Sequence, residues 1–311
     1  KQSAYPYEED IFVGYRYFET FAPDRVLYPF GYGLSYTEFE TECRFFSVKD
    51  DGVELSVCVK NIGNYNGAEV VQIYSSAPQG LLDHPAVELR TFAKTKVLAP
   101  NETQVLSFLI EKRELAAFDD TGITGCLGGY VLEKGDYAFY FGNNTRDRKI
   151  CGTMHVEEDK ILSKHSLKLT SPIDRRLSIN KKYESAWIGE VETEKAVIKP
   201  KPDRLYTLQD VAEGGIDMYT FLAQLTDDEL IELATAQPPA FPRGTAGIGN
   251  NKKYGIPNIQ TADGPAGLRK TVPTVCFPCA TLLSCTWDYN TVFSVGKCIG
   301  EEGIYFDIDV L

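Results

Sequence analysis

Two folds are predicted along this chain of 311 residues, an all-β two-sheet sandwich across residues 38–157 and an α/β segment across residues 216–311. Three observations carry that expectation. Between 38 and 157, short runs of alternating apolar and polar residues recur, each closed by turn chemistry. Between 158 and 215 that regularity is lost to Lys, Glu, Pro and Asp, as in Ile198-Lys-Pro-Lys-Pro-Asp-Arg204, the composition of an extended linker. Beyond 216, helical spacing gives way to an apolar run that ends in a charged turn rich in Gly and Pro.

The elements follow in order. Residues 1–37 open with Tyr5-Pro-Tyr-Glu-Glu-Asp-Ile-Phe-Val-Gly-Tyr-Arg-Tyr-Phe18, whose alternation predicts a half-buried strand. Leu27-Tyr-Pro-Phe-Gly-Tyr-Gly-Leu-Ser-Tyr-Thr37 follows, punctuated by Gly and Pro like an irregular packed connection. In the β region, Val53–Lys60 and Ala68–Ser75 alternate on either side of the turn residues Asn61–Gly67. Val87–Phe92, Gln104–Ile110, Gly129–Leu132 and Asp136–Phe141 follow, and seven or so short strands at this spacing make a two-sheet sandwich. No cluster of acids, histidines or reactive cysteines falls among them, so packing is the expected job of this domain.

In the last third, Thr207-Leu-Gln-Asp-Val-Ala-Glu213 reads as a capped helical turn before Gly214-Gly215, and Thr226-Asp-Asp-Glu229 as a helix-opening capping box. Leu222, Leu225, Leu230 and Leu233 give the second helix an apolar face, and the acids Asp227–Glu229 are accounted for by the positive end of the helix dipole. Ala236–Gly249 reads as a long Gly/Pro loop whose only cation is Arg243. Then comes Tyr254-Gly-Ile-Pro-Asn-Ile-Gln-Thr-Ala-Asp263-Gly-Pro-Ala-Gly-Leu-Arg269, a strand expected to stop at Asp263, since Gly264, Pro265 and Gly267 forbid regular continuation. An acid and a base six positions apart thus emerge where a strand ends, which is where barrels meet their ligands. An isolated Asp-Gly-Pro is more often a surface turn whose carboxylate binds its own backbone. Ile304–Leu311 reads as a further strand. Trp187 and Trp287 are expected to pack against protein.

Composition narrows the partners. A formal charge of −12 argues against nucleic acid and anionic membrane, both of which demand a basic face. No apolar run approaches the roughly 20 residues needed to span a bilayer. The first ten residues lack the apolar core of a signal peptide. The eight cysteines, Cys43, Cys58, Cys126, Cys151, Cys276, Cys279, Cys285 and Cys298, lie in a chain large enough to need no staples, so free thiols and a cytoplasmic location are expected. Cys276-Phe-Pro-Cys279 has no second pair or histidine cluster beside it, which argues against zinc.

Several of these motifs resemble glycoside hydrolase family 3, the β-glucosidase and β-xylosidase family. Gly14-Tyr-Arg-Tyr and Pro29-Phe-Gly-Tyr-Gly-Leu-Ser-Tyr36 are similar to the end of that family's α/β sandwich domain. Residues 38–157 resemble its fibronectin type III-like domain. Phe221–Leu233 is similar to the opening helix of its TIM-like barrel, Tyr254–Arg269 to the first strand and substrate loop, and Phe277–Trp287 with Val295–Gly303 to the second strand and helix. The resemblance implies a multidomain chain: 1–37 the C-terminal end of an α/β sandwich domain, 38–157 the fibronectin type III-like sandwich, 158–215 a linker, and 216–311 the N-terminal part of a (β/α)8-like catalytic barrel. The usual family order begins with the barrel, so this order implies a permuted enzyme or, less simply, a fusion of two modules, and the chain reads as an inner slice of a larger protein.

The resemblance also assigns roles. In such enzymes the Asp of Asp-Gly-Pro-x-Gly-x-Arg holds sugar hydroxyls in subsite −1 and the Arg lines the same pocket, roles that pass to Asp263 and Arg269. The nucleophile in its Ser-Asp-Trp context, the glutamate acid of the sandwich domain and the Lys-His pair have no counterpart here, so no catalytic residue is assigned, and Asp288 and Glu301 are not promoted to that role. The implied activity is a retaining exo-β-glycosidase, a β-glucosidase removing terminal glucosyl residues from oligosaccharides. A β-xylosidase of the same family and a non-catalytic carbohydrate-binding scaffold are the alternatives. The implied partner is a small β-glucoside or oligosaccharide, with no cofactor, no metal, no nucleic acid and no membrane. A homo-oligomer is compatible with all of this.

Overall fold

The structure is a computed structural model that describes residues 8–165, 176–179, 199–235 and 246–311. It divides into two compact units, residues 1–193 and 194–311.

The first unit is the expected sandwich. One sheet pairs β1 (Phe39–Val48), β2 (Gly52–Asn61) and β5 (Thr103–Glu111) in the order β1-β2-β5. The other has four strands, β3 (Val70–Ser76), β4 (Glu88–Lys94), β8 (Gly135–Gly142) and β9 (Arg148–Val156), in the order β4-β3-β8-β9. All these pairings are antiparallel. Between β5 and β8 lie a short helix α2 (Lys112–Leu115) and the strands β6 (Ala117–Asp119) and β7 (Gly129–Leu132). With β10 (Lys160–Lys164) these two strands make a small third sheet in the order β10-β7-β6. β10 and part of this third sheet fall where the sequence reads as linker and loop.

Alternation explains the packing. In β2 the side chains of Val53, Leu55, Val57 and Val59 are buried while Glu54 is exposed, since successive residues of a strand face opposite ways. They meet Val71 and Ile73 of β3 and Tyr137, Phe139 and Phe141 of β8 in one core. Burying each large apolar side chain contributes about 1.5–3 kcal/mol. Glu133, buried in the turn after β7, accepts hydrogen bonds from the amides of Leu81 (2.5 Å) and Leu82 and lies 3.3 Å from the Nε2 of His84, so one carboxylate anchors the loop after β3.

Ahead of this sandwich the expected strand is overturned. Residues 15–21 form a helix, α1 (Tyr15–Phe21), entered at Gly14 with φ +57°. The aromatic residues that look alternating are also spaced three and four apart, and the helical period wins because it lets Tyr15 stack on Phe30 (4.4 Å) and Phe21 meet Phe12 edge-on (4.9 Å).

In the second unit three short helices come first, α3 (Leu208–Ala212), α4 (Met218–Leu222) and α5 (Asp227–Ala234). The capping box expected at Thr226 is present, with Glu229 accepting from the Thr226 amide at 2.8 Å, and the capped turn expected at Thr207 is also a capping box, with Asp210 accepting from the Thr207 amide at 2.7 Å. The apolar face is corrected in one place. Because α4 stops at Leu222, that side chain is exposed, and Phe221 takes the buried position beside Leu225 and Tyr254.

Residues 246–249, expected as the end of a loop, belong instead to β11 (Ala246–Asn251), paired antiparallel with β12 (Ile256–Thr261). The glycines that suggest a loop are what permits this pairing: a Cβ at Gly249, where φ is +89°, would lie 2.5 Å from the Pro257 carbonyl. Residues 236–245, including Arg243, and Trp187 lie outside the described residues.

After β12 come α6 (Ala280–Ser284) and α7 (Tyr289–Tyr305). The second strand expected in Phe277–Trp287 is absent; that stretch holds α6, and Trp287 is a half-buried residue at φ +51° just before the α7 cap. The strand expected over 304–311 is also corrected. α7 runs on through Tyr305, and of the following residues only Val310 bridges to a strand, parallel to Thr261. Among the described residues no helix is long and apolar enough to cross a membrane, and all eight cysteines are unbonded.

Candidate functional site

β12 ends at Thr261, two residues before the expected stop, and Ala262 continues by donating its amide to the Val310 carbonyl at 3.0 Å. Ala262 and Leu268 are both buried against Ile299 of α7, with Phe277, Val295, Phe306 and Ile308 around them. These two apolar residues pin the ends of the segment 263–267, and the polar residue next to each is left outside.

The segment closes on itself. The Arg269 amide donates to the Asp263 carbonyl at 2.8 Å, and the Gly267 amide to the Gly264 carbonyl at 3.2 Å. Gly267 is at φ +111°, and a Cβ there would stand 1.9 Å from the Val275 carbonyl oxygen, so only glycine fits. The result brings the two expected residues together: Arg269 Nη1 is 3.8 Å from Asp263 Oδ2. The side chains are 82% and 57% exposed, and both border an open hollow of about 790 Å³ lined by Ala262, residues 263–267, Arg269 and Leu311. A contact that long between exposed groups adds little stability, so its value lies in placing a charged acceptor and a forked donor side by side.

Sequence reasoning misses Glu302. One of its oxygens accepts from the Val275 amide at 3.0 Å and the other is buried without a hydrogen-bond partner. Val275 is the residue whose carbonyl abuts Gly267, so Glu302 positions the back of the loop. The helical period offers a signal, since Glu302 lies three residues after the buried Ile299 on α7 and hence on its inner side.

The acids left unassigned have structural partners. Asp288 caps α7, accepting from the Asn290 amide at 2.9 Å, and Glu301 lies 3.7 Å from Lys297 one turn earlier on the helix. Asp227 and Asp228 occupy the first turn of α5. There Lys253 bonds Glu229 at 2.8 Å, and this, with the Thr226 amide, holds the Glu229 carboxyl down at about 2. Among the described residues no group of three His, Cys, Asp or Glu side chains is arranged to hold a metal.

Residues 69–145 match the model of the fibronectin type III-like domain, which is the sandwich described above. More specifically, the chain is homologous to the β-glucosidases of glycoside hydrolase family 3. It is 38% identical to a β-glucosidase of Ruminococcus albus and 36% identical to β-glucosidase A of Butyrivibrio fibrisolvens, each over 95% of its length. It spans 33% and 42% of those two proteins. The crystal structure of a β-glucosidase from Paenibacillus barengoltzii superposes on the whole chain with a TM-score of 0.84 at 34% identity, and 38% of that protein is covered.

Proposed function

We propose that Asp263 and Arg269 hold the hydroxyls of a sugar in subsite −1 of a retaining exo-acting β-glucosidase. The observation that carries this is their convergence at the mouth of one hollow, on a loop whose ends are fixed by buried residues. The carboxylate accepts hydrogen bonds from sugar hydroxyls and the guanidinium donates to an adjacent oxygen, so each hydroxyl is oriented as a donor or an acceptor. Such contacts help catalysis to the extent that they tighten as the ring distorts toward the oxocarbenium-like transition state. The reaction also needs two carboxyl groups roughly 5–5.5 Å apart. No residue here is assigned to that pair.

The same proposal takes residues 216–311 as the opening of a (β/α)8-like barrel. The parallel bridge between Thr261 and Val310, with α7 between them, supports it, because a β-strand, a helix and a parallel strand are that barrel's repeating unit. Domain boundaries at 37, 157 and 215, and the permuted order in which the sandwich precedes the barrel, belong to the proposal. Similarity continuous over 95% of the chain to two β-glucosidases supports that order.

The test is Asp263→Ala in the protein carrying these residues, assayed on nitrophenyl β-glucoside and nitrophenyl β-xyloside. Loss of kcat/KM on the glucoside, with the glucoside the better substrate of the unmodified protein, supports the reading. Unchanged kcat/KM removes Asp263 from the site, and preference for the xyloside makes the protein a β-xylosidase.

A further inference from the structure

The two sheets of the sandwich meet along β1 and β9, each an edge strand of its own sheet, with no ladder between them. Three contacts run in step along this seam. Lys149 Nζ donates to the Thr41 carbonyl at 3.3 Å, Cys43, whose thiol donates to the Phe45 carbonyl at 3.4 Å, lies beside Cys151, and a Cβ on Gly152 would lie 2.4 Å from the ring of Phe46. Both sulfurs sit beside a local irregularity. The register of β1 shifts between Cys43 and Phe45, and Cys151 falls between Ile150 and Gly152, where β9 shifts against β8. A bulge releases one residue from the ladder and re-aims its side chain. Both cysteines are partly buried and pack on the same core.

We propose that Cys43 and Cys151 form a reversible disulfide that fastens the facing edges of the two sheets. The nearest rival is excluded by strand geometry. Cys58 stands opposite Glu42, whereas Cys43 stands opposite the buried Val57, so the side chains of Cys43 and Cys58 leave the sheet on opposite faces.

The oxidant is a low-molecular-weight disulfide such as oxidised glutathione. Burial, and then the neighbouring sulfur of Cys43, push the Cys151 thiol up, which disfavours Cys151 as the opening nucleophile. Cys43 attacks the small disulfide, forming a mixed disulfide and expelling one thiolate. Cys151 gives up its proton and displaces the second, closing the bond. One S–S bond breaks in the oxidant and one forms in the protein; two electrons and two protons leave the cysteines and appear as two small thiols. Because the bond would join residues far apart in sequence, it would restrict the unfolded chain strongly.

The test is to incubate the full chain with oxidised glutathione, alkylate it in denaturant and map its peptides by mass spectrometry. The expected result is a cross-linked peptide pair containing Cys43 and Cys151, lost on reduction with dithiothreitol, and a thermal transition of the sandwich raised by about 5 °C or more in the oxidised form. Cys43→Ser and Cys151→Ser each remove the cross-link and the shift, with unchanged far-ultraviolet circular dichroism showing that they fold. Separate alkylation of Cys43 and Cys151 in chains whose exposed Cys276 and Cys279 have already reacted, or a cross-link joining another pair, overturns the proposal.

Discussion

The amide of Arg269 is bound to the carbonyl of Asp263 at 2.8 Å, while their side-chain charges stand 3.8 Å apart. The first contact sets the second: closing the backbone over six residues is what makes neighbours of an acid and a base, and it works because Ala262 and Leu268 beside them are buried.

If Asp263 accepts from sugar hydroxyls, removing it deprives a desolvated substrate group of a charged partner. Asp263→Ala is expected to cost about 3 kcal/mol of transition-state stabilisation, or roughly a hundredfold in kcat/KM. Thermal stability should barely move, because the carboxylate is 57% exposed and its ion pair is loose. Steady-state kinetics beside a melting curve separates the two effects.

Arg269→Lys is predicted to behave more like Arg269→Ala than like the unmodified protein in kcat/KM. A lysine keeps the charge but loses the planar fork that can engage two oxygens at once. Full activity in the lysine variant would show that charge alone suffices.

Gly267→Ala tests the loop itself. With φ at +111° and the Val275 carbonyl 1.9 Å from the added Cβ, the loop must shift, at an expected cost of about 1–3 kcal/mol in strain. Denaturant melts should record the destabilisation, and activity should fall with it although no polar group has been removed.

Glu133→Ala strips the amides of Leu81 and Leu82 of their buried carboxylate and leaves His84 without its acidic neighbour. A loss of about 1–3 kcal/mol or more from the sandwich is expected in chemical denaturation.

Acid should weaken the second unit through Glu229. Its carboxyl lies at about 2 in the fold against 4.5 for an ordinary glutamate, held down first by the Lys253 hydrogen bond. The folded value is the lower one, so the contribution is fully present above about 4.5 and is lost as pH falls toward 2. Glu229→Gln should flatten that part of a stability–pH curve, read by circular dichroism on thermal melts.

The sandwich was legible because strands have a period of two. Val53, Leu55, Val57 and Val59 announce a buried face without reference to anything else in the chain. The helix caps at Thr207 and Thr226 were legible for a similar reason, since all their hydrogen bonds form within four residues. Where the amino-acid pattern supports two periods, local reading fails. Tyr5–Phe18 reads as alternating, yet Tyr15, Phe18 and Phe21 also stand three apart at helical spacing, and ring packing against Phe12 and Phe30 decides. Gly247 and Gly249 read as loop because their fitness for a hairpin depends on Asn258 and Pro257 across the ladder.

What the sequence determined by itself was the identity and spacing of Asp263 and Arg269, the glycines and proline that force a turn between them, and the β character of the sandwich. Tertiary structure alone decided that the two charges meet, that Glu302 of α7 backs their loop through Val275, and that Cys43 finds Cys151. Each of these contacts joins residues whose nearness is fixed by burial of apolar neighbours on separate elements, and no local pattern encodes which buried faces will be pressed together.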